Sequence, residues 1–452
     1  MSAMFVLPGL ISLYLVIRGR IATAFLSIYL PALLLLPDGY AFRLPHLPPI
    51  SAAQSALIPI GAVAMYRLLQ NGIPTLMDTL VGLFVVSLTA SEILRERIMN
   101  DGIISATLAF ISICFSYAIG RMLIEPGLRL LTVRRFVVLI LLLGPIGLYE
   151  WRFGQSIYGV IGQRIFHLDI VQATIQLRAG RGRMAASFND AELAGIVIGM
   201  TTALNVWLVY LGKWRSNADM GRPIGWLEKY HIPGLLLLLY LYLTQSRGPM
   251  LAVGIAYIIL QIPRFRNKKT ASVVAALLIA VLATAAFRYY SHYASISSPG
   301  AIINEQQGSA LYRLQMNELY KPIVQQGGWL GWSLLSHPVL PGMFSIDNEY
   351  LLVHLAYGHF GYILFILLAL ETFRRLAVLL WTTKAQEDHA FVVSLIAAMA
   401  VFWISIATVY MGEQLPQITF LFLGWCQSIV PMATQKPIDT IRPIFTFKRI
   451  LN

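Results

Sequence analysis

Five arginines flank apolar runs in a way that invites chemistry: Arg178, Arg181, Arg183, Arg247 and Arg313. The first three fall close together in Arg178-Ala-Gly-Arg181-Gly-Arg183-Met-Ala-Ala-Ser187-Phe188-Asn189-Asp190, just ahead of a long apolar stretch. Guanidinium groups pair phosphate oxygens bidentately, and a following helix N-terminus adds a favourable dipole. The plainer reading is an anchor at lipid headgroups. Arg247 lies in Thr244-Gln-Ser246-Arg247-Gly248-Pro249, with an apolar run on each side. An arginine so placed is costly unless it faces a polar cavity or a partner, or snorkels to the interface. A third segment, Ser345-Ile-Asp347-Asn348-Glu349-Tyr350-Leu351, brings two carboxylates and an amide to a helix start. These groups could accept a proton or orient a sugar hydroxyl, and they are also good helix caps. Gly358 and Gly361, further along, read as helix-packing positions. Glu192 reads as an arginine partner. Of the eight histidines, His337 and His292 fall in a long loop where they could meet substrate. No His-Glu-x-x-His or comparable metal spacing occurs.

The elements that must position these residues are membrane helices. The chain has 452 residues, 57% hydrophobic and 12% charged, against about 25% charged in soluble domains. Runs long enough to cross a bilayer recur throughout, which predicts an all-α polytopic transmembrane bundle of about 12–13 spans. Short alternating strands of a membrane barrel are not seen. Residues 232–262 as one helix would run about 46 Å, too long for a bilayer about 30 Å thick. Pro249 favours a break, so the sequence predicts a hairpin with Arg247 at its apex. The two cysteines, Cys114 and Cys426, sit in apolar runs and lack disulfide or metal spacing. Met1–Ile17 followed by Arg18 and Arg20 reads as a first span rather than a cleaved signal.

Basic patches at Arg121–Arg135, Lys213–Lys229, Arg264–Lys269 and Arg374–Lys384 are separated by even numbers of runs, so all can face one side. That side collects roughly two-thirds of the 34 Lys and Arg residues and reads as cytoplasmic. The net charge of +13 thus reports topology and anionic-lipid contact, and no aromatic-interleaved basic motif points to nucleic acid. The expected organisation is N-terminal spans over 1–150, an outward loop at 151–187, central spans over 188–287, a second outward loop at 288–348, C-terminal spans over 349–432 and a cytoplasmic tail at 433–452. The apolar and aromatic content of both loops predicts short helices at the membrane surface.

Together these motifs resemble the O-antigen polymerase and ligase family of membrane glycosyltransferases. The matching stretches are Arg183-Met-Ala-Ala-Ser187-Phe188-Asn189, Thr244-Gln-Ser246-Arg247-Gly248, Ser309-Ala-Leu-Tyr-Arg313, Gly327-Gly-Trp-Leu-Gly331, Asp347-Asn348-Glu349-Tyr350-Leu351 and Gly358-His-Phe-Gly361. Family ligases often carry histidine where this chain has Asp347, which makes it look more like the exopolysaccharide polymerases. The resemblance implies an undecaprenyl-diphosphate-linked glycan as donor, a periplasmic site on a bacterial inner membrane, and no cofactor. An acceptor hydroxyl would attack the anomeric carbon, inverting it, as the lipid diphosphate leaves. Arg247 and Arg183 would stabilise that leaving group in place of a divalent metal, assisted by Arg178, Arg181 and Arg313. Asp347 would orient or deprotonate the acceptor, with Asn348, Glu349, Tyr350 and His337 contacting substrate. A chain-length regulator and export machinery are possible partners, besides membrane lipids. The alternatives are a ligase of the same fold, a lipid flippase or transporter, and a non-catalytic scaffold of an envelope assembly.

Overall fold

The computed structural model describes residues 2–43, 47–125, 127–168, 175–178, 180–211, 231–265, 267–294, 305–343 and 345–429. The patch Lys213–Lys229, the tail from 433, His46 and Arg266 lie outside the described residues. The fold is an all-α polytopic membrane bundle, as the composition requires. Six described helices are long and apolar enough to cross a membrane: Ala52–Asn71, Leu76–Arg95, Met99–Met122, Arg129–Phe153, Ala191–Tyr210 and Gln386–Ser405. Shorter apolar helices at Ala3–Ile17, Ile21–Leu35, Ile232–Leu243, Arg247–Ile259 and Lys269–Ala285 accompany them. Helices Glu349–Thr382 and Leu415–Ser428 complete the set of expected runs. Sheet is confined among the described residues to two hairpins of two-residue strands, Ala41–Phe42 with Ile50–Ser51 and Leu177–Arg178 with Arg181–Gly182.

Helices Ala191–Tyr210 and Gln386–Ser405 are apolar on every face and almost wholly buried. A helix without a polar face must sit inside the bundle. Around them, Phe84 stacks on Phe365 and Phe420, and Trp425 packs on Phe391 and Phe422. Two glycines let helix Leu415–Ser428 approach its neighbour at backbone distance. A Cβ on Gly120 would lie 2.0 Å from the Leu421 carbonyl oxygen, and one on Gly424 2.1 Å from that of Tyr117. Small residues at such crossings are the usual means of close packing in membranes.

The ends of the helices sort into two sets. At one end Arg129 pairs with Asp388 at 2.6 Å, Gln386 donates to the Tyr210 hydroxyl, Arg121 to the Ile73 carbonyl and Arg375 to that of Ile429. At the other, Gln414 donates to the carbonyls of Leu36 and Ser187, Ser336 to Glu96, and Arg313 to Thr408. One part of the basic-patch reading is corrected: Arg129 does not face headgroups. It is only 6% exposed, held by Glu125 and Asp388, and its guanidinium lies 4.5 Å from the centre of the Phe391 ring. A buried cation is tolerable when carboxylates neutralise it, as they do here.

The hairpin at 232–262 forms as expected. Helix Ile232–Leu243 ends in a turn with Gln245 at φ 52°, and helix Arg247–Ile259 begins at Arg247 itself. The two long loops expected to face outward carry helices Ile157–Phe166 and Glu305–Gly327, the latter longer than the short surface helices expected. Helix Glu349–Thr382 is broken at Gly358, which adopts φ 65°. This corrects the packing role read for that glycine. The segment 327–333 enters the break and replaces its lost hydrogen bonds. Trp332 and Ser333 donate to the carbonyls of Leu355 and Ala356, while His359 and Phe360 donate to those of Gly328 and Trp329. A Cβ on Gly358 would lie 2.5 Å from the backbone of this segment. Gly361 remains a packing position, against Tyr357 and Ser87.

Candidate functional site

Arg183 is the keystone of the arginine cluster, and it is 4% exposed. Its Nε donates to the Thr244 carbonyl at 3.0 Å, Nη1 to Gln176 Oε1 at 2.5 Å and Nη2 to Ser246 Oγ at 2.9 Å. Nη2 also lies 3.4 Å from Glu192 Oε1. Every guanidinium nitrogen is therefore engaged, three of the four contacts being neutral acceptors. The adjacent Met184 amide donates to the Leu243 carbonyl. Arg178 Nη1 donates to the Gln245 carbonyl. Two arginines thus clamp the turn 244–246, and the residue that emerges from the clamp is Arg247.

Arg247 is exposed, at the first position of its helix, and makes no hydrogen bond or ion pair among the described residues. Its neighbour Gly248 is pressed against Thr408, whose Oγ1 would lie 2.4 Å from a Cβ there. Thr408 also accepts, through its carbonyl, from Arg313 Nη2 at 3.4 Å. Arg313 sits on helix Glu305–Gly327 and reaches two carboxylates, Glu192 Oε1 and Asp347 Oδ2, each at 3.9 Å. Its Nε is buried without a partner among the described residues. A continuous line of charges therefore runs Arg183, Glu192, Arg313, Asp347, with Arg247 and Thr408 beside it. Glu192 is held by arginines on two sides, as its sequence position implied.

Asp347 is partly exposed, and its Oδ1 accepts from the Ser345 hydroxyl at 2.7 Å. The residues after it are occupied by structure. Asn348 caps the helix, accepting from the amides of Tyr350 and Leu351, and donates to Asn317. Glu349 is 5% exposed and accepts from the Met411 amide at 2.6 Å. The Tyr350 hydroxyl donates to the Trp403 carbonyl at 2.8 Å. Arg181 is exposed with its guanidinium 4.6 Å from the Trp151 ring centre. His337 bonds the Leu334 carbonyl, inside a segment pinned by Glu92 and Glu96. It joins no hydrogen bond or ion pair of the arginine line. The structure thus brings together Arg178, Arg183, Arg247, Arg313 and Asp347, sets Arg181 on the hairpin flank, and leaves His337 with a different loop.

Several positioning residues were invisible to sequence reasoning. Glu150 is fully buried, and its Oε2 accepts from the amides of Ala185 and Ala186 at 3.0 and 2.7 Å. This holds Ala186 at φ 50°, a strained conformation for a residue with a side chain. In sequence Glu150 marks only the end of an apolar run. Glu413 reaches Asn189 at 3.5 Å, and Gln414 is fully buried against Leu36 and Ser187. Their link to the motif is through space, and no spacing rule exposes it. Among the described residues no group of three His, Cys, Asp or Glu side chains is arranged to hold a metal ion.

Neither the curated proteins nor the solved structures compared with this chain give a match. A family model does: residues 232–366 match that of the O-antigen ligases (Wzy_C). The match runs from the arginine hairpin through helix Glu305–Gly327 to just past the break at Gly358, and over that stretch it supports the resemblance of this multi-pass membrane protein to the O-antigen polymerase and ligase family, whose members are glycosyltransferase-like enzymes.

Proposed function

We propose that this protein is a bacterial inner-membrane glycosyltransferase that polymerises undecaprenyl-diphosphate-linked repeat units into a surface polysaccharide or exopolysaccharide at the periplasmic face. The observation that carries the reading is Arg247. It is an exposed guanidinium, unpaired among the described residues, at a helix N-terminus on a turn clamped by two other arginines. Such a group is preorganised for an anion that arrives from outside.

In this reading the acceptor hydroxyl attacks the anomeric carbon of the donor. The bond from that carbon to the diphosphate oxygen breaks, and undecaprenyl diphosphate departs with the electron pair. Arg247 meets the departing charge directly. Arg313, only loosely held by its carboxylates, assists. Arg183 holds the turn and does not touch the substrate, because its nitrogens are already engaged. Asp347 accepts the hydroxyl proton through Oδ2, the oxygen that faces Arg313. Direct displacement inverts the anomeric centre and draws on these residues alone. The polyprenyl chain lies in lipid beside the hairpin, with the C-terminal tail on the cytoplasmic side.

Replacing Arg247 with Ala is expected to abolish polymer in cells while leaving the amount of membrane-inserted protein unchanged. Normal polymer length in that strain would remove the proposal. A ligase reading is favoured by the description of the matching family model. The accumulated intermediate separates the two: a dead polymerase leaves single repeat units, a dead ligase leaves long chains on the lipid carrier.

A further inference from the structure

A polar cavity of about 450 Å³ opens beside the arginine line. Its wall includes Asp38, Arg43, Gln54, Gln176, Asp190, Tyr410 and Glu413. Two of these tie it to the transfer site. Gln176 accepts from Arg183, and Asp190 caps the helix start at Glu192, which faces Arg183 and Arg313. The far wall comes from the hairpin at 41–51, between the second and third apolar helices. The Asp38 carboxyl has Ser51 as a hydrogen-bond partner, but its Oδ1 is shut away from solvent and makes no hydrogen bond among the described residues. A buried carboxylate oxygen without a donor is costly unless something supplies one.

The chemistry of this wall differs from that of the arginine line. Three carboxylates against one arginine repel a diphosphate. Amides, carboxylates, hydroxyls and a tyrosine ring suit a polyol, whose hydroxyls donate to carboxylates and whose C–H face lies on an aromatic ring. The volume is that of a small-ligand pocket. We propose that this cavity holds sugar residues of the reacting glycan, with Asp38 and Glu413 accepting hydrogen bonds from their hydroxyls while the diphosphate stays at Arg247. The inference rests on the glycosyl-transfer reading above and adds to it where the sugars lie. Burial first, and then the charges of Asp38 and Asp190, push Glu413 up to about 7. It therefore changes charge near neutral pH, where glycan binding should be pH-dependent.

The test uses full-length protein in lipid nanodiscs, as wild type, Asp38→Asn, Glu413→Gln and Arg247→Ala. Three probes are titrated: the host strain's repeat-unit oligosaccharide released from its carrier by mild acid, undecaprenyl diphosphate without sugar, and the intact lipid-linked unit. Asp38→Asn and Glu413→Gln are expected to weaken the free oligosaccharide at least tenfold and to leave undecaprenyl diphosphate within twofold. That second arm also shows that the variants are folded. Turnover then tells which glycan sits there: a raised KM for the growing chain marks the acceptor end, and a raised KM for the lipid-linked unit marks the donor sugar. Unchanged oligosaccharide binding, or equal loss of oligosaccharide and lipid diphosphate, would overturn the inference. If wild type and Arg247→Ala take undecaprenyl diphosphate equally, the transfer reading fails, and the oligosaccharide arm still judges the cavity.

Discussion

Arg183 and Arg247 stand for two different uses of the same side chain. From a buried position Arg183 satisfies the Thr244 carbonyl and the Ser246 hydroxyl oxygen of the turn, and Gln176 and Glu192 besides. Removing it leaves those acceptors and part of a carboxylate charge unpaired, at a cost of about 3–5 kcal/mol. Arg183→Ala is therefore expected to lower the unfolding temperature in detergent by several degrees and to lose activity with it. Arg183→Lys should recover little, since an ammonium cannot reach three directions in one plane. Arg247→Ala should lose activity with the unfolding temperature unchanged, because Arg247 bonds nothing among the described residues. Equal melting of wild type and Arg183→Ala would contradict the clamp. That these arginines belong to one end of the bundle was legible in the sequence, because their types and flanking apolar runs say so. Which of them is spent and which is free was not, because carbonyls of residues 244 and 245 decide it, and a sequence does not show where carbonyls point. Glu150 and Glu413 were missed for the same reason: their partners lie far along the chain.

At the scale of elements, the hairpin at 232–262 was readable from length and Pro249, two local signals. The break in helix Glu349–Thr382 was not, since Gly358 and Gly361 at that spacing serve equally well for helix packing. What distinguishes them is a segment from elsewhere, 327–333, that enters at Gly358. Gly358→Ala combines a Cβ at 2.5 Å from backbone with a positive φ, and backbone has no rotamer with which to move aside. Strain in such a conformation costs about 1–3 kcal/mol before the clash is counted. The variant is expected to expose 327–337 to added protease, whereas Gly361→Ala, which meets side chains rather than backbone (Tyr357 Cβ at 2.5 Å and the Ser87 hydroxyl at 3.1 Å) and lacks the positive φ, should be cut far less. Equal cleavage of both would show that the inserted segment does not depend on Gly358. Glu96 pins the same segment. Burial opposes its ionisation, and hydrogen bonds from Ser333 and Ser336 overcome that, so its carboxyl is held below the usual range. Its contribution is present above the ordinary carboxylate value and fades as pH falls through the lowered one.

For the whole molecule, composition was enough to establish a helical membrane bundle, and the order of apolar runs was enough to sort helix ends into two sets. The sidedness itself remains a proposal with a direct check. Cys114 and Cys426 are both buried, so background labelling is low. A cysteine at exposed Arg181 should react with a membrane-impermeant maleimide added to the periplasmic side, and one at exposed Lys269 should not. The reverse pattern would invert the proposed topology. The stability of the outward end should also follow pH. Glu413 has a folded-state value raised to about 7, so it binds its proton more tightly folded than unfolded. Its stabilising contribution is complete below the ordinary value of 4.5 and is lost as pH rises through about 7. The unfolding temperature of wild type should therefore drop more between pH 5 and 8 than that of Glu413→Gln. Parallel curves would show that Glu413 does not titrate in that window.

The most direct measurement incubates purified wild type and Arg247→Ala with radiolabelled undecaprenyl-diphosphate oligosaccharide and follows release of lipid diphosphate together with glycan length. Wild type is expected to release lipid diphosphate and lengthen the glycan, and Arg247→Ala, folded to the same melting temperature, to do neither above background. Turnover by Arg247→Ala at the wild-type rate would mean that the free guanidinium at the hairpin apex is not what receives the leaving group.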